Sequence, residues 1–223
     1  MRRGGLKGLS RSLIFLVVIL GLSSCALSCT PPETEEGLLI LSHSTYVDSL
    51  GYFRLVGEVE NTGQSNTEKN NIVATFYDEQ GESNLTASCY CCLEIIRPGE
   101  RSPFEIVLPS RPDGLNYVLT TKCQVTDIQP NREVVAHGIE AMTDPDGYYT
   151  ITGQVTNAGE KPIDVIMIVG SFYDSEGTIV AAGIAFADAT PLQPDESANF
   201  TMVIDPGISV KINSYSLQLV AYD

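Results

Sequence analysis

The chain is one unit written twice, and this constrains its fold more than any other feature. Shifted by 96 positions, the sequence matches itself without a gap over a long stretch. Gly57, Val59, Asn61 and Gly63 fall on Gly153, Val155, Asn157 and Gly159. Phe76-Tyr77-Asp78 and Gly81 fall on Phe172-Tyr173-Asp174 and Gly177, and Pro98, Glu100 and Phe104 fall on Pro194, Glu196 and Phe200. The copies span 38–127 and 133–223, with the short Pro-containing linker 128–132 between them. A period this long, present only twice, predicts two domains, because solenoid repeats are shorter and more numerous.

Within each copy the hydrophobic period is two. Phe53, Leu55, Gly57 and Val59 alternate with Arg54, Val56, Glu58 and Glu60, which predicts a strand with one buried face. Ile72, Ala74 and Phe76 make a second buried row, matched by Ile168, Gly170 and Phe172, and Phe104, Ile106 and Leu108 make a third, matched by Phe200, Met202 and Ile204. Turn residues fall between the rows. Asp78-Glu79-Gln80-Gly81 and Asp174-Ser175-Glu176-Gly177 place Asp first and Gly fourth, as type I turns prefer, and Pro98 and Pro194 sit at second turn positions. No segment after residue 30 sustains a helical period. The prediction is an all-β chain of two tandem immunoglobulin-like antiparallel β-sandwich domains behind an N-terminal signal peptide.

Each copy resembles the FxLYD domain, a β-sandwich module of prokaryotic secreted proteins and lipoproteins. The resemblance rests on Gly-x-Val-x-Asn-x-Gly (Gly57 to Gly63 and Gly153 to Gly159), on Phe-Tyr-Asp-x-x-Gly, and on Pro-x-Glu-x-x-x-Phe. The name motif is kept in part: its first Phe is Ala74 or Gly170 here, and its Leu is Phe76 or Phe172. The resemblance implies a sandwich fold and a surface location, and no catalytic residue.

Residues 1–24 read as a secretory signal peptide. Arg2, Arg3, Lys7 and Arg11 form a positive region, Ser12 to Leu22 an apolar one, and no acidic residue precedes Glu33. The apolar run is shorter than the ~20 residues a helix needs to span the hydrocarbon. Counting the small residues that follow extends it to Ser28, which also allows an uncleaved anchor. Leu22-Ser23-Ser24-Cys25 resembles the bacterial lipobox, which would make Cys25 the lipid-attachment residue; Cys29, after Ala26-Leu27-Ser28, is a second candidate. A diacylglyceryl group supplies the two chains that stable anchoring requires. Residues 25–37 form an acidic, Pro-containing tether. Removing the four basic residues of 1–24 takes the formal charge from −15 to −19. Acidity of this strength excludes nucleic acid as a partner and holds the body away from an anionic bilayer.

Cys89, Cys91, Cys92 and Cys123 all lie in the first copy, against Ala185, Ala187, Asp188 and Leu219 at +96. Cys-x-Cys-Cys on a strand matches zinc spacing poorly, so disulfides of an oxidising compartment are the expectation and no metal or cofactor is assigned. Four cysteines allow three pairings; a bond from Cys89 or Cys91 to Cys123 is the preferred one. Asp144-Pro145-Asp146-Gly147 fails the EF-hand template, because its twelfth position is the apolar Val155, and reads as a turn. His43 and His137 belong to no hydrolase or zinc motif. Of the sequons at Asn84 and Asn199, Asn84 is the plausible one, since Phe200 belongs inside. The repeated Tyr-Asp at 77–78 and 173–174 reads as a structural corner. The sum is a non-catalytic, membrane-anchored extracytoplasmic lipoprotein, acting as a protein-binding or spacer module at the cell surface. The alternatives are a solute- or carbohydrate-binding lipoprotein, which the absence of Trp counts against, and a thiol redox or metal-binding protein using the first-copy cysteines.

Overall fold

The computed structural model describes residues 37–114 and 116–222. The signal peptide, the lipobox with Cys25, Cys29 and almost all of the tether lie outside the described residues. Repeat 1 supplies six strands: β1 (Leu38–Val47), β2 (Phe53–Asn61), β3 (Asn66–Tyr77), β4 (Ser83–Tyr90), β5 (Arg101–Leu108) and β6 (Asn116–Thr126). Repeat 2 supplies their counterparts: β7 (Val134–Thr143), β8 (Tyr149–Asn157), β9 (Val165–Tyr173), β10 (Ile179–Phe186), β11 (Ser197–Ile204) and β12 (Ser214–Tyr222). One short helix, α1 (Pro206–Ser209), precedes β12. Each repeat is a sandwich of two three-stranded antiparallel sheets, ordered β1-β2-β5 over β4-β3-β6 and β7-β8-β11 over β10-β9-β12. The all-β fold with two sandwiches is as expected.

The alternating rows make the sandwich interiors. Phe53, Leu55, Ala74, Phe76, Ile106 and Leu108 pack together in repeat 1, and Ile151, Ile168, Phe172, Phe200 and Ile204 join the corresponding core of repeat 2. The shared motif residues have local reasons. Gly57 pairs with Phe104 across β2 and β5, and Gly153 with Phe200 across β8 and β11. Each phenyl ring lies over its glycine, where a Cβ would collide with it. Asn61 and Asn157 are fully buried; their Nδ2 atoms donate to Ser65 O and Ile96 O, and to Lys161 O and Leu192 O, pinning two loops to a strand end. Glu100 and Glu196 accept the backbone N–H of Arg97 and Gln193. Four Asp-x-x-Gly turns close hairpins, at Asp48, Asp78, Asp144 and Asp174, each with its glycine in the left-handed region at φ of +80° to +90°.

One equivalence differs from the expectation. Phe76 pairs with Tyr117, whereas Phe172 pairs with Tyr215, so β12 follows β6 at an offset of 98. The loop bearing α1 is two residues longer than its counterpart. Cys123 therefore corresponds to Ala221, not to Leu219.

The prediction of one buried face per strand also fails, most fully on β2 and β9. Val56 and Glu58 are buried on the outer face of β2, and Met167, Val169 and Ser171 on the outer face of β9. These outer faces meet. β10 crosses β1 and β2, and β9 crosses β5. Met167, Val169 and Val220 join one buried cluster with Leu38, Val59, Cys91 and Phe104. Both repeats belong to a single compact unit, residues 35–223, built as four stacked sheets.

Candidate functional site

Two regions distinguish this chain from a plain pair of sandwiches: the cysteine-bearing edge of repeat 1 and the seam between repeats.

At the edge, residues 91–93 leave β4 and lace the two sheets of repeat 1 together. Cys91 N donates to Asn70 O at 2.8 Å, Cys92 N to Pro103 O at 2.9 Å, and Leu93 N to Ser102 Oγ at 2.9 Å. Repeat 2 makes the same crossing with Ala187 and Asp188, so the fold does not require thiols there. Beside the crossing, β3 carries a bulge, with Lys69 at φ +51° and Asn70 next to it. Asn70 is buried, and its Oδ1 has no hydrogen-bond partner among the described residues, where repeat 2 has the apolar Ile166. A cavity of about 340 Å³ lies here, walled by Glu68, Asn70, Tyr90, Cys92 and Leu93 among others.

Among the described residues, no disulfide joins Cys89, Cys91, Cys92 and Cys123 to one another. The expected Cys89–Cys123 bond fails on strand order. Cys89 on β4 and Cys123 on β6 flank β3 on opposite sides. Two strand spacings put such residues about 9.6 Å apart, beyond the ~7 Å that a disulfide tolerates between Cα atoms. Cys91 bridges toward Phe104 of the other sheet, and its bond to Cys123 is not formed either. Burial pushes the Cys89 thiol up to about 11 and that of Cys92 to about 12. Burial, and then the neighbouring thiols, push Cys91 up further. Thiols held protonated in this way are poor nucleophiles at neutral pH. Among the described residues, no three His, Cys, Asp or Glu side chains are grouped to hold a metal ion.

At the seam, polar groups of one repeat are satisfied by the other. Tyr173 Oη donates to Glu58 Oε1 at 2.5 Å. Ser44 Oγ donates to Ile179 O and Ser42 Oγ accepts from Ile179 N, at 2.7 and 3.2 Å. Ser49 Oγ donates to Asp205, and Gln218 Nε2 to Arg101 O. A charged group lies along the repeat 1 side. Arg54 bridges Asp48 at 2.7 Å and Glu105 at 2.6 Å, and Tyr46 Oη donates to Glu105 at 3.2 Å. Burial raises the Glu105 carboxyl despite Arg54. Burial acts on Asp48 in the same sense, but Arg54 and the turn amides of Tyr52 and Leu50 outweigh it and hold that carboxyl low. The linker is fixed as well: Arg132 forks the Glu100 carboxylate at 3.2 Å and reaches Ile95 O, and Asn66 Nδ2 donates to Ile128 O.

The remaining sequence candidates resolve as structure. Asp144 Oδ1 accepts the N–H groups of Asp146 and Tyr148, as Asp48 does for Leu50 and Tyr52, so both loops are turns. Asp78 and Asp174 cap their turns likewise, but the hydroxyl of Tyr173 serves the seam and not the corner. His43 meets Tyr117 Oη at 2.7 Å, and His137 meets Gln154 at 3.1 Å on the far sheet. Asn84 is exposed on β4; Asn199 accepts from Gln154 while Phe200 is buried. Sequence reasoning missed Val56, Glu58, Arg54 and Glu105. The one available signal was Val56, an apolar residue in an otherwise charged row. No helix among the described residues is long and apolar enough to cross a membrane. No family model matches the chain, and no curated protein matches it.

Proposed function

We propose that the chain is a non-catalytic extracytoplasmic lipoprotein, lipid-anchored at Cys25, whose two FxLYD-like sandwiches act as one stiff spacer and protein-binding module. The observation that carries the spacer reading is the seam. Val56, Glu58, Met167 and Val169 are buried between the repeats, so the pair moves as a unit and not as beads on a string. The anchor reading is supported by Leu22-Ser23-Ser24-Cys25 directly after the apolar run and by the acidic tether that follows. Protonated, buried thiols disfavour the redox alternative.

The test is the intact mass of the protein purified from its native membrane, with the variant Cys25→Ala alongside. A chain beginning at Cys25 and carrying a diacylglyceryl group, with the variant lost from the membrane fraction, is the expected result. A chain beginning at Met1, or a variant that stays membrane-bound, would overturn the anchor.

A further inference from the structure

The seam between the repeats is heterologous. Repeat 1 contributes the outer face of β1-β2-β5, and repeat 2 the outer face of β10-β9-β12. Each repeat therefore keeps uncovered the face that its twin uses. On β8, Thr152 and Gln154 are exposed where their counterparts Val56 and Glu58 are buried. On β3, Asn71, Val73 and Thr75 are half-buried where Met167, Val169 and Ser171 are buried.

These two end faces carry few charges in a chain of formal charge −15. The β7-β8-β11 face carries hydrogen-bonding ladders: His137 to Gln154 to Asn199, and Thr156 to Ser197 at 2.7 Å. Its ionised residue is Glu140. Apolar side chains stand out from it, with Met142 at 64%, Val203 at 55% and Val135 at 54% exposure. The β4-β3-β6 face shows Thr75, Thr86, Ser88 and Thr120 around exposed Tyr90 and Val118, with its charges gathered at the Gln124 end, where Lys122 is followed by Glu68 and by Lys69, whose Nζ donates to Gln124. A face shaped for solubility alone carries mixed Lys and Glu along its whole length; the β7-β8-β11 face does not, and on β4-β3-β6 the mixed charges stop at Lys122.

We propose that the two end faces dock on one another between copies of this chain, head to tail, in the mode the repeats use within the molecule. The polar core of the seam has its match. Tyr77 stands where Tyr173 stands, and Gln154 of the next copy stands where Glu58 stands, so a phenol again meets a carbonyl-type acceptor. The apolar part is thinner, with Thr152 in place of Val56 and Asn71 in place of Met167. The contact is accordingly weaker than the seam within the molecule. A heterologous contact extends into a line of copies unless its rotation closes a ring.

The test uses the full chain in a mild detergent, followed by sedimentation velocity across protein concentrations. Thr152→Lys blocks the repeat 2 end, and Thr75→Lys blocks the repeat 1 end; both sites are on the surface, and melting curves check that each variant folds. The wild type should gain weight-average mass with concentration, at least doubling well above the dissociation constant. Each variant alone should stay monomeric. Mixed in equal amounts, the two variants should form dimers and nothing larger, because one supplies the intact head and the other the intact tail. A wild type monomeric at every concentration, as expected of a face that serves a neutral polymer, would overturn the proposal. So would association that survives either substitution, or a mixture that gives no dimer.

Discussion

Removal of one hydroxyl tests whether the seam is held as described. In Tyr173→Phe the ring stays and the donor to Glu58 is lost. Glu58 is 3% exposed. Without the phenol its nearest cation is Arg101 Nη1 at 3.8 Å, which is too long for a good hydrogen bond. A hydrogen bond to a buried charged group is worth about 1.5–3 kcal/mol, so a loss of about 2 kcal/mol is expected. For a unit of this size each kcal/mol moves Tm by about 2–4 °C, giving a fall of roughly 4–8 °C. The assay is urea unfolding, read as the midpoint with the slope checked for constancy. The molecule contains its own control, since Tyr77→Phe removes the same hydroxyl from the uncovered face of repeat 1 and should cost under ~0.5 kcal/mol. The double variant Tyr173→Phe with Glu58→Gln should recover part of the loss, because an amide is cheaper than a carboxylate to leave buried. Equal effects of Tyr173→Phe and Tyr77→Phe would refute the account of the seam.

Three further outcomes are expected. Gly57→Ala places a Cβ in the Phe104 ring and should cost about 1–3 kcal/mol by overpacking, with Phe104→Leu restoring part of it in the double variant's unfolding curve. Arg132→Ala leaves the Glu100 carboxylate, 12% exposed, without its fork; the cost should be about 3 kcal/mol at neutral pH. Burial acts against Glu100, but Arg132 and the Arg97 amide outweigh it and hold its folded pKa low. Its contribution is therefore present above the unfolded pKa and fades as pH falls through the folded one, so the gap between wild type and variant should shrink in acid. Cys89 and Cys92, raised to about 11 and 12, contribute stability that is whole below pH 9 and is lost as pH climbs toward 12. Replacing them with the repeat 2 residues, Cys89→Ala and Cys92→Asp, should flatten that alkaline decline in a pH series of melts. In the wild type both thiols should resist alkylation at pH 8 until urea is added.

Much of the fold was legible in the sequence because its determinants are local. Strand rows such as Ile72, Ala74 and Phe76 are fixed by a period of two. The Asp-x-x-Gly turns are fixed by a carboxylate that accepts amides two and four residues on, and by a glycine that accepts positive φ. The duplication fixed two sandwiches. The Cys89–Cys123 pairing was preferred because sequence proximity and face parity place both in one core, and only strand order shows that β3 lies between them. The equivalence of Cys123 was misplaced because a two-residue insertion near α1 leaves no mark on the apolar pattern.

The sequence by itself therefore determined that each copy is an antiparallel sandwich, where its turns fall and which row of each strand faces inward. Tertiary structure alone decided that the outer rows of β2 and β9 are interior too. Arg54, Val56, Glu58 and Glu60 read as a solvent row because alternation reports the average polarity of a face. A polar row becomes interior when each of its charges finds a partner, and the phenol that satisfies Glu58 comes from a strand 115 residues away. No local pattern carries that information.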